Sequence, residues 1–263
     1  MKNDLFSIGP FTIHGYGLMM AIGILTAYYL VERGAKKKGM DYDKIFNLAI
    51  WAVAGGLLGA KLLYLLTRLP DLIADPSLII HCLKDGFVVY GSIIGGILAA
   101  WIYCRRSTLE FLKVFDLIVP YLALAQGIGR IGCLLAGCCY GMQVSENNPI
   151  GIVFHESVYA PNNVPLLPTQ IISSVLNFLH FGILILLSKR VKSDGQLAGC
   201  YLIFYSVGRF ILEYFRGDLI RGNVGTLSTS QFISVFMVIA GLFMVFGLPK
   251  LQRNRGTSAP MQE

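Results

Sequence analysis

The sequence predicts an all-α, polytopic membrane protein with seven transmembrane helices, its N-terminus outside and its C-terminus cytoplasmic. Three observations lead there. Of 263 residues, 55% are hydrophobic and 14% charged, against about 25% charged in a soluble domain. The mean hydropathy is +0.63. Apolar stretches near the length that crosses a bilayer, about 20 residues, recur along the chain, and the basic residues between them alternate in abundance as the positive-inside rule requires.

The stretches run Gly15–Val31, Ile45–Leu66, Phe87–Tyr103, Phe111–Ala136, Pro168–Leu187, Leu197–Phe215 and Gln231–Leu248. Lys2 is the only basic residue before the first, offset by Asp4, and the stretch exceeds a signal-peptide core, so it is expected to be retained. Arg33, Lys36, Lys37, Lys38 and Lys44 follow the first; Arg105, Arg106 and Lys113 the third; Lys189, Arg190 and Lys192 the fifth; Lys250, Arg253 and Arg255 the seventh. All fall on one side. The opposite side holds Lys2, Arg68, Lys84, Arg216 and Arg221, and its longest loop, 142–167, holds no basic residue. The basic side is therefore cytoplasmic. Asn147-Asn-Pro149 and Pro161-Asn-Asn163 mark turns in that outer loop. Residues 1–263 read as a single integral membrane domain. Gly55/Gly59 and Gly91/Gly95 give close-packing helix faces.

A net charge of +7 would suggest nucleic acid in a soluble chain. Here cytoplasmic loops account for it, so no nucleic-acid partner is expected and membrane lipids are. Gly127-Ile-Gly-Arg-Ile-Gly132 spells a dinucleotide fingerprint but lies inside an apolar span with no preceding strand. Tyr90-Gly-Ser92 with His180 lacks the context of a serine hydrolase, and the four histidines are scattered. Cys82, Cys104, Cys133, Cys138, Cys139 and Cys200 form no CxxC and no Cys/His ligand spacing. No metal and no cofactor are expected. Lys61 reads as a helix-packing or snorkelling residue.

Arg130 and Arg209 need a reason, because an arginine at the bilayer centre costs about 2.5–3.5 kcal/mol on insertion scales. A structural reason would be snorkelling, or pairing with Asp116 or Glu213. A functional reason follows from topology. Arg130 and Arg209 lie in the outer halves of the fourth and sixth spans. Tyr205, Arg209 and Glu213 share a face at i, i+4, i+8. Tyr16, Tyr90 and Gln170 open the first, third and fifth spans from outside. Two guanidiniums at headgroup depth make a phosphate clamp, for which the natural ligand is a phospholipid.

Gly129-Arg130-Ile131-Gly132 with Gly137 and Gly141 resembles the signature segment of the bacterial prolipoprotein diacylglyceryl transferases. Similar segments run through the chain: Phe6-Ser-Ile-Gly-Pro10 with His14-Gly-Tyr-Gly-Leu18, Gly59-Ala60-Lys61 with Tyr64, Pro168-Thr169-Gln170, Gly208-Arg-Phe-Ile-Leu-Glu-Tyr-Phe-Arg216 with Asp218, and Ser230-Gln231 with Ser234. The resemblance implies an enzyme of the bacterial cytoplasmic (inner) membrane. It would move the diacylglyceryl group of phosphatidylglycerol onto the lipobox cysteine of preprolipoprotein signal peptides, releasing glycerol phosphate. Its implied catalytic residues are Arg130, Arg209, Tyr90 and Tyr16, with Arg130, Arg209, Tyr205, Glu213, Gln170 and Gly141 binding or framing substrate. Where the family usually has His-Gly-Gly this chain has Tyr90-Gly91-Ser92; Cys133 stands where Asn is usual and Cys138 where Glu is usual. Tyr90 is a poor base, its phenol pKa being about 10. It would act as a hydrogen-bond donor, the arginines stabilising the attacking thiolate. Alternatives are a related membrane enzyme with another thiol or other acceptor, and a channel or permease, which would need polar rings through the whole bilayer.

Overall fold

The structure, a computed structural model, describes residues 4–8, 11–84, 86–218 and 222–257. Lys2, Arg221 and the Gly9-Pro10 pair lie outside the described residues. Strands β1 (Asp4–Ile8) and β2 (Phe11–His14) pair antiparallel. There follow α1 (Gly15–Lys37), α2 (Tyr42–Thr67), α3 (Leu69–Ala74), a 3-10 turn (Pro76–Leu78), α4 (Ile79–Lys84), α5 (Val89–Ser107) and α6 (Phe111–Ala136). The loop 142–167 carries β3 (Ile152–Val153) and β4 (Pro165–Leu166), antiparallel to each other. Then come α7 (Thr169–Leu187), α8 (Gln196–Glu213), the two-stranded β5 (Asn223–Val224) and β6 (Leu227–Ser228), and α9 (Thr229–Leu242). A π-helical turn (Phe243–Gly247) leads on into α10 (Leu248–Thr257).

The molecule is thus mostly helical, with three small antiparallel sheets that the apolar pattern does not signal. Among the described residues five helical runs are long and apolar enough to cross a membrane: α1, α2, α6, α7 and Thr229–Gln252. Several helices overrun the apolar stretches that announce them. α1 continues past Val31 to Lys37, where good helix formers and a Glu32–Lys36 pair at 2.6 Å prolong it. α2 starts at Tyr42 because the Asp41 carboxylate caps it, accepting from the amides of Asp43 and Lys44.

The chain forms two compact units, residues 1–31 with 115–263 and residues 32–114. In the second, α2 and α5 meet backbone to backbone. A Cβ built on Gly59 would lie 2.9 Å from Gly95 Cα, and one on Gly55 2.7 Å from the Gly95 carbonyl, so the predicted small-residue faces are the interface. Lys61 donates to the carbonyls of Cys82 and Gly86 at 3.1 and 3.0 Å and lies over the Phe87 ring at 4.3 Å. It is a structural residue, as expected.

In the first unit, Val119, Ala123, Leu184, Leu197, Ala198 and Tyr201 form a fully buried seam among α6, α7 and α8. The glycines of the false dinucleotide fingerprint serve packing. Gly127 lies under the Phe178 ring, and Gly132 admits Met19 and the Tyr16 backbone of α1. The carboxylate of Asp116 caps α8, accepting from the amides of Gly195 and Ala198, both at 2.7 Å. It is a capping group, and the arginine pairing considered for it falls to Glu213.

Candidate functional site

α6 and α8 each contribute one arginine to a cavity of about 230 Å³ in the first unit. Arg130, Arg209, Tyr205 and Gly208 line it with Ser173, Asn177 and His180 of α7, and Leu176, Leu179, Ile183, Phe204 and Leu212 complete the wall. Gly208 keeps the space open, since a Cβ there would meet nothing within 4 Å. Leu176, Leu179, Ile183 and Phe204 are exposed, which gives the cavity an apolar margin beside its two guanidiniums.

The two arginines are held differently. Arg209 Nη2 lies 2.5 Å from Glu213 Oε2, one turn on, with the two side chains only 12% and 10% exposed. The same nitrogen donates to Ser230 Oγ at the start of α9 at 2.8 Å. Ser230 is set there by the capping box that starts the helix, Ser228 and Gln231 each satisfying the other's amide. Arg130 ion-pairs with no acidic side chain among the described residues. Its charge acts on Tyr205, Cys133 and Cys139. A cation at a cavity wall without a carboxylate is available to an anionic ligand.

Aromatic rings back this wall. His180 stacks on Tyr201 at 5.1 Å, and Tyr201 on Tyr205 at 5.8 Å. Gln126 Nε2 donates to the Tyr201 hydroxyl at 2.8 Å. His180 is 6% exposed, and its Nε2 has no hydrogen-bond partner among the described residues. Nothing in the sequence singles it out beyond the rejected hydrolase reading. Its one signal is register, seven and three residues beyond Ser173 and Asn177 on the same α7 face.

The other expected residues frame the signature segment. α6 ends in a Schellman motif: Gly137, at φ +73°, is the left-handed residue, with Gly137 N–H bonded to Leu134 O and Cys138 N–H to Cys133 O. The start of α7 grips the chain that follows. Thr169 Oγ1 donates to Cys139 O at 2.8 Å and Gln170 Nε2 to Cys138 O at 2.9 Å. Gly141 bonds Leu167 O through its amide, and a Cβ there would meet that carbonyl at 2.5 Å. Gln170 and Gly141 therefore shape the loop. Tyr16, in the first turn of α1, interacts electrostatically with Cys133, Cys138, Cys139 and Arg130. Tyr90 begins α5, in the second unit.

Beside the signature segment the Arg216 guanidinium makes a bidentate pair with Asp218, at 2.8 and 2.6 Å. Burial opposes its charge, but Asp218 and Cys139 outweigh it and raise its pKa. The Cys133 and Cys138 thiols, and then the Arg216 and Arg130 guanidiniums, pull the Cys139 thiol well below its ordinary range against the effect of burial.

A family description, prolipoprotein diacylglyceryl transferase, matches residues 3–247. A Clostridium tetani protein named phosphatidylglycerol–prolipoprotein diacylglyceryl transferase is 47% identical over 254 residues, spanning 97% of this chain and 100% of that one. A Clostridium perfringens protein named phosphatidylglycerol–prolipoprotein diacylglyceryl transferase 2 is 44% identical, over 98% and 99% of the two chains. A Staphylococcus carnosus protein of the first name is 31% identical, over 91% and 88%. The family match covers nearly the whole chain, from the first strand into the last apolar helix, and the chain belongs to the prolipoprotein diacylglyceryl transferase family.

Proposed function

We propose that this chain transfers the diacylglyceryl group of phosphatidylglycerol to the lipobox cysteine thiol of preprolipoproteins, at the outer face of the bacterial cytoplasmic membrane. The observation that carries the reading is the Arg130–Arg209 cavity, lined by two guanidiniums and margined by exposed apolar side chains. It matches a phospholipid, whose phosphate and chains need those two environments. The names of the relatives supply the donor and the acceptor.

In the reaction the acceptor sulfur forms a bond to the glycerol carbon of the diacylglyceryl group. The carbon–oxygen bond to phosphate breaks and its electron pair leaves with glycerol phosphate, while the thiol proton passes to water or to the released phosphate. Negative charge grows on the phosphate, so preorganised guanidiniums stabilise the transition state more than the ground state. Glu213 and Ser230 fix the Arg209 fork, the Arg130 charge is available to the phosphate, and His180 and Tyr205 offer hydrogen bonds along the wall. The membrane arrangement we infer is one integral domain of seven spans, α5 and α8 joining the five apolar runs, with the N-terminus and the 142–167 loop outside.

The test uses purified protein, phosphatidylglycerol in detergent micelles and a lipobox peptide, read by mass. The expected product is the peptide plus one diacylglyceryl group, with one glycerol phosphate released per addition. Peptide left unmodified by folded protein would refute the reading, as would product formed equally by Arg130→Ala.

A further inference from the structure

The cysteines include no CxxC pair, but Cys133 and Cys138 have four residues between them, an interval that zinc ligands use, and the fold brings three of the six together. The sulfurs of Cys133, Cys138 and Cys139 all lie within 4.8 Å of one another, and no disulfide joins them. The cause is local. In a Schellman motif the residue just after the left-handed one packs on the residue five positions before it. Here those residues are Cys138 and Cys133, so the helix stop itself pairs two thiols. Cys138 Sγ also reaches the Cys133 carbonyl at 3.7 Å. Cys139 then takes φ +60°, a left-handed conformation uncommon outside glycine and asparagine, which closes the triangle. Thr169 and Gln170 hold the backbone of this turn through the Cys139 and Cys138 carbonyls. The site is therefore built before any ligand arrives.

We propose that Cys133, Cys138 and Cys139 form a binding site for one thiophilic d10 metal ion of the Zn(II) or Cu(I) kind. Three sulfurs around such an ion, each about 2.3 Å from it, lie about 4 Å apart. The triangle needs to tighten by less than about 1 Å. Soft thiolates select these ions over Mg(II) or Ca(II), which take oxygen ligands. The electrostatics agree. Three thiolates with one such cation carry a net negative charge, and the Arg216 and Arg130 guanidiniums both act on Cys139. Binding releases up to three thiol protons to solvent and needs no oxidant. This site is distinct in chemistry from the arginine cavity and does not depend on the transfer reaction.

The test uses the purified full chain in detergent, under argon with a non-thiol reductant. Cd(II) is titrated and the thiolate-to-metal absorption in the ultraviolet is followed; Zn(II) affinity is then measured against a chromophoric chelator. The expected result is one Cd(II) and one Zn(II) per chain, with three of the six thiols protected from a disulfide reagent. Cys133→Ser, Cys138→Ser and Cys139→Ser should each weaken Zn(II) by more than about 100-fold, exceeding the usual effect of an outer-shell change. Cys104→Ser and Cys200→Ser should leave it unchanged. Circular dichroism and gel filtration establish that each variant is folded. Absence of the absorption band in the wild-type chain overturns the proposal, as does a band that survives all three substitutions or is lost equally on changing Cys104 or Cys200.

Discussion

Arg130 and Arg209 should fail in different ways when removed, and the difference can be worked from their partners. Arg209→Ala strands the Glu213 carboxylate, which is 10% exposed and lies 2.5 Å from the guanidinium that balances its charge. Removing one member of a buried pair costs about 3–5 kcal/mol. Arg130 has no acidic partner among the described residues, so Arg130→Ala leaves no orphaned carboxylate and should cost about 1 kcal/mol, the centre of the usual distribution. Both single variants should lose transfer by about 100- to 1,000-fold, equivalent to about 2.7–4 kcal/mol of transition-state stabilisation. The double variant Arg209→Met/Glu213→Leu replaces the pair with apolar bulk and should recover most of the lost stability, but none of the transfer. Thermal unfolding in detergent and the mass-read transfer assay separate the two effects. Equal destabilisation by Arg130→Ala and Arg209→Ala would refute the assignment of partners. Return of transfer in the double variant would show that the Arg209 charge is structural.

The remaining predictions concern groups around that cavity and the membrane topology. His180→Phe keeps a flat ring beside Tyr201 but deletes the unpartnered Nε2; transfer should fall about 10-fold or more, the scale of a hydrogen bond to a charged group, while the melting temperature holds or rises. Unchanged transfer in His180→Phe would remove the residue from the reaction. Asp116→Ala deletes both caps on α8 and should cost about 2–4 kcal/mol in unfolding experiments; an unchanged melting temperature would refute the capping role. Seven spans place Asn147 outside and Lys192 inside, whereas the five most apolar runs alone would reverse both. An impermeant thiol reagent on intact cells should therefore label Asn147→Cys and not Lys192→Cys in a background lacking the other cysteines, and the reverse pattern would sink the seven-span arrangement.

What is legible in the sequence follows physical lines. Bilayer-length apolar runs are a one-dimensional property, so the α6 bounds agree with the expected stretch and α7 differs by a single residue. The two arginines are legible because a buried cation is expensive and therefore conspicuous. Their cavity is legible only in part: Tyr205 and Arg209 share a helix face, and Ser173, Asn177 and His180 share one on α7, but no spacing within either helix shows that the two faces meet. The cysteine triangle is missed by a search for CxxC alone, because Cys133 and Cys138 have four residues between them and Cys139 adjoins the second. Its signal takes another form, a Cys four positions before a helix stop, a glycine at the stop and two cysteines after it.

α5 and α8 show how polar and small residues lower the mean hydropathy of a helix. α5 spans 19 residues and α8 spans 18, or roughly 27–29 Å at 1.5 Å per residue, close to the hydrocarbon thickness of about 30 Å. Their apolar content is diluted by particular residues. In α5 the largest reduction comes from Arg105 and Arg106 in its last turn, and Gly91 and Gly95, which let α2 approach to backbone contact, add a smaller one. In α8 they are Arg209, which lines the cavity, and Glu213, which pairs with it, and Gly199, which admits the Gly241 carbonyl of α9 at 2.9 Å from its Cβ position. The glycines and the Arg209–Glu213 pair are each explained by a contact inside the protein. A helix whose polar groups are satisfied by its neighbours presents lipid only with its remaining apolar face, and Ile93, Ile94, Ile97, Leu98 and Trp101 of α5, with Phe204, Val207 and Ile211 of α8, are all exposed. The free energy of insertion depends on that face and on the internal pairing together, so the lower averages of α5 and α8 are compatible with the seven-span arrangement proposed above.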